Sequence, residues 1–108
     1  MNEYTGLIIE ESLNDKHILN ELVIIITQVA GDWHITRVKI SKDKIESLPA
    51  NLVSDKYYMH FWKDDDVIVV FKDKIMTLKH SDRESWKPII EYGKSIGIPE
   101  EQLDFPID

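Results

Sequence analysis

The sequence predicts an α+β fold: a twisted, mainly antiparallel sheet of about six strands, with a C-terminal helix packed on one face and two short helices. Three observations predict it. Short β-branched and aromatic runs recur along the chain, most of them joined by brief polar turns. One stretch near the C-terminus switches to helical periodicity and carries both start and stop signals. No repeat, low-complexity tract or Pro/Gly/Ser linker interrupts the 108 residues, so a single domain over residues 1–108 is expected.

Taken in order, Thr5–Glu11 reads as a first strand. Ser12 to Asp15 offers capping side chains, and Asp15–Glu21 reads as one or two helical turns. Leu22–Ala30 (LVIIITQVA) is rich in β-branched residues and reads as a strand. Gly31-Asp32 turns the chain, and Trp33–Ser41 returns with Trp33, Ile35, Arg37 and Lys39 on one side and His34, Thr36, Val38 and Ile40 on the other. Ser41 to Lys44 opens a second short helix that has to end before Pro49, because proline disfavours helical geometry in the residue preceding it. Tyr57–Lys63, Val67–Lys72 and Ile75–His80 read as three further strands, with Asp64-Asp65-Asp66 and Asp73-Lys74 as turns.

The C-terminal helix is the best-specified element. Ser81 and Glu84 stand in capping-box spacing. Trp86, Ile89, Ile90, Gly93 and Ile96 form one apolar stripe, with Lys87, Glu91 and Lys94 facing away. Gly97 occupies the place of a left-handed cap, Ile98 closes its hydrophobic contact, and Pro99 prevents continuation. Pro88 conflicts with a helix interior, which predicts a start near Asp82 with a local distortion. Beyond it, Leu103, Phe105 and Ile107 are expected to dock the acidic tail back onto the body.

Composition bounds function more than it defines it. The chain has no cysteine, so disulfides, thiolate metal sites and cysteine nucleophiles are ruled out, in keeping with a cytoplasmic protein. The N-terminus lacks a basic region followed by a long apolar run, so no signal peptide is expected. The longest apolar stretch, Leu22–Ile26, is far shorter than the ~20 residues of a membrane span. The net charge of −7 sits at the ends: residues 1–22 and residues 99–108 each carry −4, and the middle is nearly neutral. Phosphate-tracking surfaces need clustered Lys and Arg, so neither a nucleic-acid nor a membrane partner is expected.

The residues that carry chemistry form no recognised constellation. His17, His34, His60 and His80 show no chelating or HExxH spacing, and Asp64-Asp65-Asp66 lacks the alternation, glycine and distal glutamate of a calcium loop. No metal site and no cofactor are expected. Neither a nucleophile elbow nor a P-loop occurs, and the four glycines are scattered. The most unusual segment is Tyr57 to Trp62, whose alternation puts Tyr58, His60 and Trp62 on one face and Tyr57, Met59 and Phe61 on the other. The second set suits a core. The first is large and amphipathic, as at binding walls and protein contacts, although a face covered by the domain's own helix is the simpler account, since most aromatic burial serves the core.

Tyr58-x-His60-Phe61-Trp62, Val69-Val70-Phe71-Lys72, Trp86 with Tyr92-Gly93, and Gly97-Ile98-Pro99-x-Glu101-Gln102-Leu103-Asp104-Phe105 together resemble a small family of uncharacterised bacterial conserved proteins. The resemblance runs from Gly6 to Phe105 and implies no activity, cofactor or catalytic residue. From the residues themselves, the favoured function is a non-enzymatic interaction or binding module that self-associates as a homodimer through its sheet and the Tyr58/His60/Trp62 surface. Strands apolar on both faces, with few helices to cover them, motivate that expectation. The alternative is a small enzyme or small-molecule-binding protein whose pocket gathers His60, His80 and an aspartate such as Asp66.

Overall fold

The computed structural model describes residues 3–54, 57–72, 74–103 and 105. Its six strands form one antiparallel sheet: β1 (Glu3–Ile9), β2 (Val23–Ala30), β3 (Trp33–Ser41), β4 (Tyr58–Lys63), β5 (Asp66–Phe71) and β6 (Lys74–Lys79). Their spatial order is β2-β3-β1-β4-β5-β6, which puts the N-terminal strand at the centre and leaves β2 and β6 as the two edges. The expected α+β class is the one observed.

Three hairpins build this order. Gly31 has φ +63° and is the only one of the two turn residues with a positive φ, as the first position of a type II′ turn between β2 and β3 requires. Asp64 takes the equivalent place between β4 and β5 at φ +55°, an uncommon conformation that aspartate tolerates better than most residues. Strand β1 slots between the two halves, pairing Gly6 with Val38 on one side and with Phe61 on the other. Glycine is needed there, because a Cβ at Gly6 would run into the Phe61 ring and lie 2.8 Å from the His60 carbonyl oxygen.

Each sheet face has its own core. On the first face Ile8, Val38, Ile40, Met59, Phe61 and Ile68 lie under residues of the connecting segments, Leu13, Leu19, Ile45, Leu48 and Leu52. Those segments are short: helix α1 (Lys42–Ile45) and 3-10 turns at Glu10–Ser12, Lys16–Glu21 and Pro49–Asn51. The helical turns expected at Asp15–Glu21 are thus a 3-10 segment, capped by the Asp15 carboxylate accepting from the His17 backbone N–H at 2.9 Å. Ser41 caps α1 as its sequence position suggests, accepting from the Lys44 backbone N–H.

On the second face Val67, Val69, Phe71 and Leu78 lie under helix α2 (Lys87–Ser95) and the segment that follows it. The entry to α2 differs from the expected capping box. Asp82, not Ser81, caps a 3-10 turn at Arg83–Trp86, accepting from the Glu84 N–H. Ser81 instead donates its backbone N–H and its hydroxyl to the Asp65 carboxylate, at 2.8 and 2.7 Å. That 3-10 turn is the distortion Pro88 demanded, and it leaves the proline in the first turn of α2, where its missing N–H costs nothing. The exit follows expectation: Gly97 at φ +98°, with Ile98 N–H on Gly93 C=O and Gly97 N–H on Lys94 C=O, is a Schellman cap.

Together these segments cover both faces of β4 and β5. The expectation that the chain has too little helix to shelter two apolar faces fails because 3-10 turns and an irregular C-terminal stretch do much of the covering.

Candidate interaction surface

Tyr58, His60 and Trp62 share the second face, and Met59 and Phe61 the first, as alternation requires. The second-face set is covered by the protein itself. His60 and Trp62 keep only 6% and 7% of their surface in water, and Tyr58 is half-buried. The two buried rings stack at 5.2 Å, and the Arg37 guanidinium sits over Trp62 at 5.5 Å. Phe105, fully buried, packs edge-on against both Tyr58 and His60 and also meets Trp86 at 5.2 Å. Leu103 and Phe105 therefore dock as expected, whereas Ile107 lies outside the described residues.

The histidines do not converge. His80 packs on Trp86, so the Trp86 and Phe105 rings stand between it and His60. Asp66 alternates with Ile68 on the opposite sheet face and pairs with Lys79. His34 lies near the β2–β3 turn, where its backbone N–H and its ring Nδ1 both meet the Glu11 carboxylate at 2.7 Å. His17 is exposed beside Asp15. Among the described residues no group of three His, Asp or Glu side chains is placed to hold a metal ion.

Nor do the concave surfaces gather catalytic groups. A cleft of about 340 Å³ on the first face is lined by Tyr4, Lys42, Thr77 and the Asp66–Lys79 pair, with no histidine. A second, of about 260 Å³, is lined by Leu7, Ile9, Ile35, Tyr58, Met59 and the mostly buried His60, with neither His80 nor an aspartate beside it.

The unusual surface is β2. All eight residues from Val23 to Ala30 are exposed. Val23, Ile24, Ile25, Ile26, Val29 and the neighbouring Trp33 keep between 41% and 68% of their surface in water. These six residues leave on the order of 600 Å² of apolar-residue surface exposed, shared between the two faces of the strand, since Ile24 lies beside Val38 and Ile26 beside Arg37. Nine consecutive positions, Leu22 to Ala30, carry no charge, proline or glycine. Apart from one bulge between Ile24 and Ile26, nothing disturbs the pairing of β2 with β3.

The opposite edge is built differently. Strand β6 begins and ends with lysine. Ser85 receives the Lys79 backbone N–H at 3.0 Å, and the Lys79 carbonyl accepts from the Ser85 hydroxyl and the Trp86 indole. Lysines, bulges and a covering segment are the usual ways of blocking an edge. Among the described residues β2 has only the bulge between Ile24 and Ile26, and the stretch from Ile26 to Ala30 is regular.

Acidic residues brace the hairpin that carries β2. Glu10 accepts from the Thr36 hydroxyl at 2.8 Å, and Thr36 meets Thr27 of β2 at 3.3 Å. The His34 backbone N–H, followed by its ring, holds the Glu11 carboxyl below its ordinary value. Each brace runs from the Glu10–Ser12 turn to β3, so β2 hangs on the sheet through β3.

The exposure of β2 was not legible in the sequence, because an uncharged β-branched run reads as a strand buried on both faces. The two-residue turn after it secures β3 as one partner, but no local signal says whether a second strand lies on its other side. Among the described residues no helix is long and apolar enough to cross a membrane. No family model, curated protein or solved structure matches the chain.

Proposed function

We propose that this protein is a non-enzymatic interaction module that binds by strand addition at the β2 edge. The observation that carries this reading is the pairing of exposure with composition: eight exposed residues in a row, mostly apolar and wholly uncharged, on a sheet edge that is regular from Ile26 to Ala30. An extended strand laid along β2 would satisfy outward backbone groups and cover the apolar side chains on either face. A homodimer is one form such association takes. A cysteine-free composition suits a cytoplasmic address, which belongs to the same proposal.

The Tyr58/His60/Trp62 set serves here as the floor under Phe105, with β2 as the contact surface. The alternative enzyme reading loses support because His60, His80 and Asp66 occupy separate environments.

The test is direct. A fluorescent peptide of residues 22–30, flanked by lysines for solubility, is titrated with the protein and followed by anisotropy. Saturable binding that weakens at least tenfold in Val29→Lys is expected, since a lysine blunts an edge without touching the core. Binding no better than that of a scrambled peptide refutes strand addition.

A further inference from the structure

The occupant of the β2 edge follows from three features: which backbone groups face outward, which side chains accompany them, and where charge lies on the chain. In a two-residue hairpin the residues flanking the turn, Ala30 and Trp33, form a hydrogen-bonded pair. Every second residue of β2, counting back through Gln28 to Ile26, then turns its N–H and C=O toward β3. Val29 and Thr27 turn theirs outward.

We infer that a second copy of this chain docks there, with two β2 strands running antiparallel about a two-fold axis at Gln28. The inference rests on the strand-addition reading above and names its partner. About this axis Thr27 faces Val29 of the other copy, and Val29 faces Thr27, so each pair exchanges two backbone hydrogen bonds from groups already pointing outward. Gln28 meets Gln28 in a close pair, with Cα atoms ~4.5 Å apart. A carboxamide is both donor and acceptor, so it complements itself across a symmetry axis. The register uses only Ile26 to Ala30, the regular stretch beyond the bulge.

Charge permits a self-partner: the molecule carries −7 overall, so two copies can meet only through neutral surface. Residues 22–30 are neutral, while residues 1–22 and 99–108 hold the acidic excess. Area is compatible with a second copy: the exposed apolar side chains of β2 and Trp33, on the order of 600 Å² over the two faces of the strand, flank the contact, against ~800 Å² per partner in a stable interface. The product is one continuous twelve-stranded sheet with a β6 edge, blocked by lysine and Ser85, at each end.

The experiment is light scattering on the full chain from micromolar to hundreds of micromolar, with three variants. Wild type is expected at about twice 12.7 kDa. Gln28→Lys and Gln28→Glu each place like charges face to face and should weaken the dimer at least about fivefold, while an equimolar mixture of the two restores it as a heterodimer. Val29→Pro removes one outward N–H from each copy and should weaken it ~10–100-fold. Unchanged circular dichroism and melting of the monomeric variants show that the fold persists.

A wild type that stays monomeric throughout overturns the second-copy assignment. If that monomer still takes up the 22–30 peptide, the strand-addition reading survives and the partner is another protein. A dimer indifferent to all three variants, with no heterodimer rescue, overturns the register and the reading together.

Discussion

Replacing Phe105 by alanine tests whether the Tyr58/His60/Trp62 face is a core or a contact surface. Phe105 is fully buried, and its ring meets three others: Tyr58 at 5.7 Å, His60 at 6.0 Å and Trp86 at 5.2 Å. Truncating a buried phenylalanine in a rigid core costs ~3–5 kcal/mol. Phe105 follows the 3-10 turn Glu100–Gln102 rather than lying inside a helix or strand, so its segment can shift to fill part of the cavity. The lower bound applies, about 3 kcal/mol, which is a fifth to more than half of the total stability of an ordinary domain. For a chain this size the melting temperature should fall by roughly 12–20 °C. Urea unfolding followed by tryptophan fluorescence reads both the loss and the new hydration around Trp62 and Trp86. Association measured by light scattering should not change, because Phe105 packs on β4, and β1 and β3 stand between β4 and the β2 edge. A loss below ~1 kcal/mol would contradict the burial argument, since truncating a buried phenylalanine costs ~3–5 kcal/mol. A change in association with stability intact would return the contact to the aromatic face.

Two further predictions concern turns and protons. Asp64→Gly should stabilise the β4–β5 hairpin: relief of a left-handed aspartate gains ~1–2 kcal/mol, glycine's unfolded-state entropy takes back ~0.5–1, and the net is about 0.5 kcal/mol, seen as a rise in melting temperature of ~2–4 °C. A fall would show that the Asp64 side chain contributes more than its backbone conformation costs. Acid should loosen the Asp65–Ser81 clasp. The Ser81 hydroxyl, then its backbone N–H, hold the Asp65 carboxyl below its ordinary value, and the contribution is therefore complete above the unfolded value near 3.8 and disappears as pH falls through the lower folded one. The stability gap between wild type and Asp65→Asn, from urea midpoints between pH 7 and pH 2.5, should shrink below pH 4; a constant gap would refute the linkage.

Much of the fold was readable because the local signals are chemically unambiguous. Gly97-Ile98-Pro99 admits few structures other than a Schellman exit, and Gly31-Asp32 between apolar runs is a hairpin. The alternation of Tyr58 to Trp62 assigned each side chain to the correct face. What local signals do not encode is strand order. Nothing in Glu3–Ile9 announces a central strand, and only Gly6, which lets the Phe61 ring close over β1, hints at crowding there. The Ser81–Glu84 spacing misled for a related reason: Asp65 is distant in sequence but near in space, and its carboxylate takes both Ser81 donors. For the candidate site the same limit acted twice. The amphipathic Tyr58, His60 and Trp62 read as a contact face or a covered one, and the C-terminal segment covers them. The apolar β2 run reads as a strand wanting cover on both faces, and strand order leaves it exposed at an edge, so the two exchange environments.

That exchange explains why β2 is the informative element. A buried strand is apolar for reasons of folding alone. A strand with eight exposed residues gains only part of such burial in the monomer, so its Val and Ile side chains are only partly accounted for by the core. The Glu10–Thr36–Thr27 relay and the Glu11–His34 clasp hold the hairpin in line with the sheet, although they add little to the core. A hairpin held in register, uncharged along its free edge and opposed by a blocked one, has the properties of a surface prepared for one more strand. On the strand-addition proposal, the lysines and Ser85 at the β6 edge would direct addition to β2, and a two-fold pair of β2 strands would consume both open edges, leaving nothing to propagate.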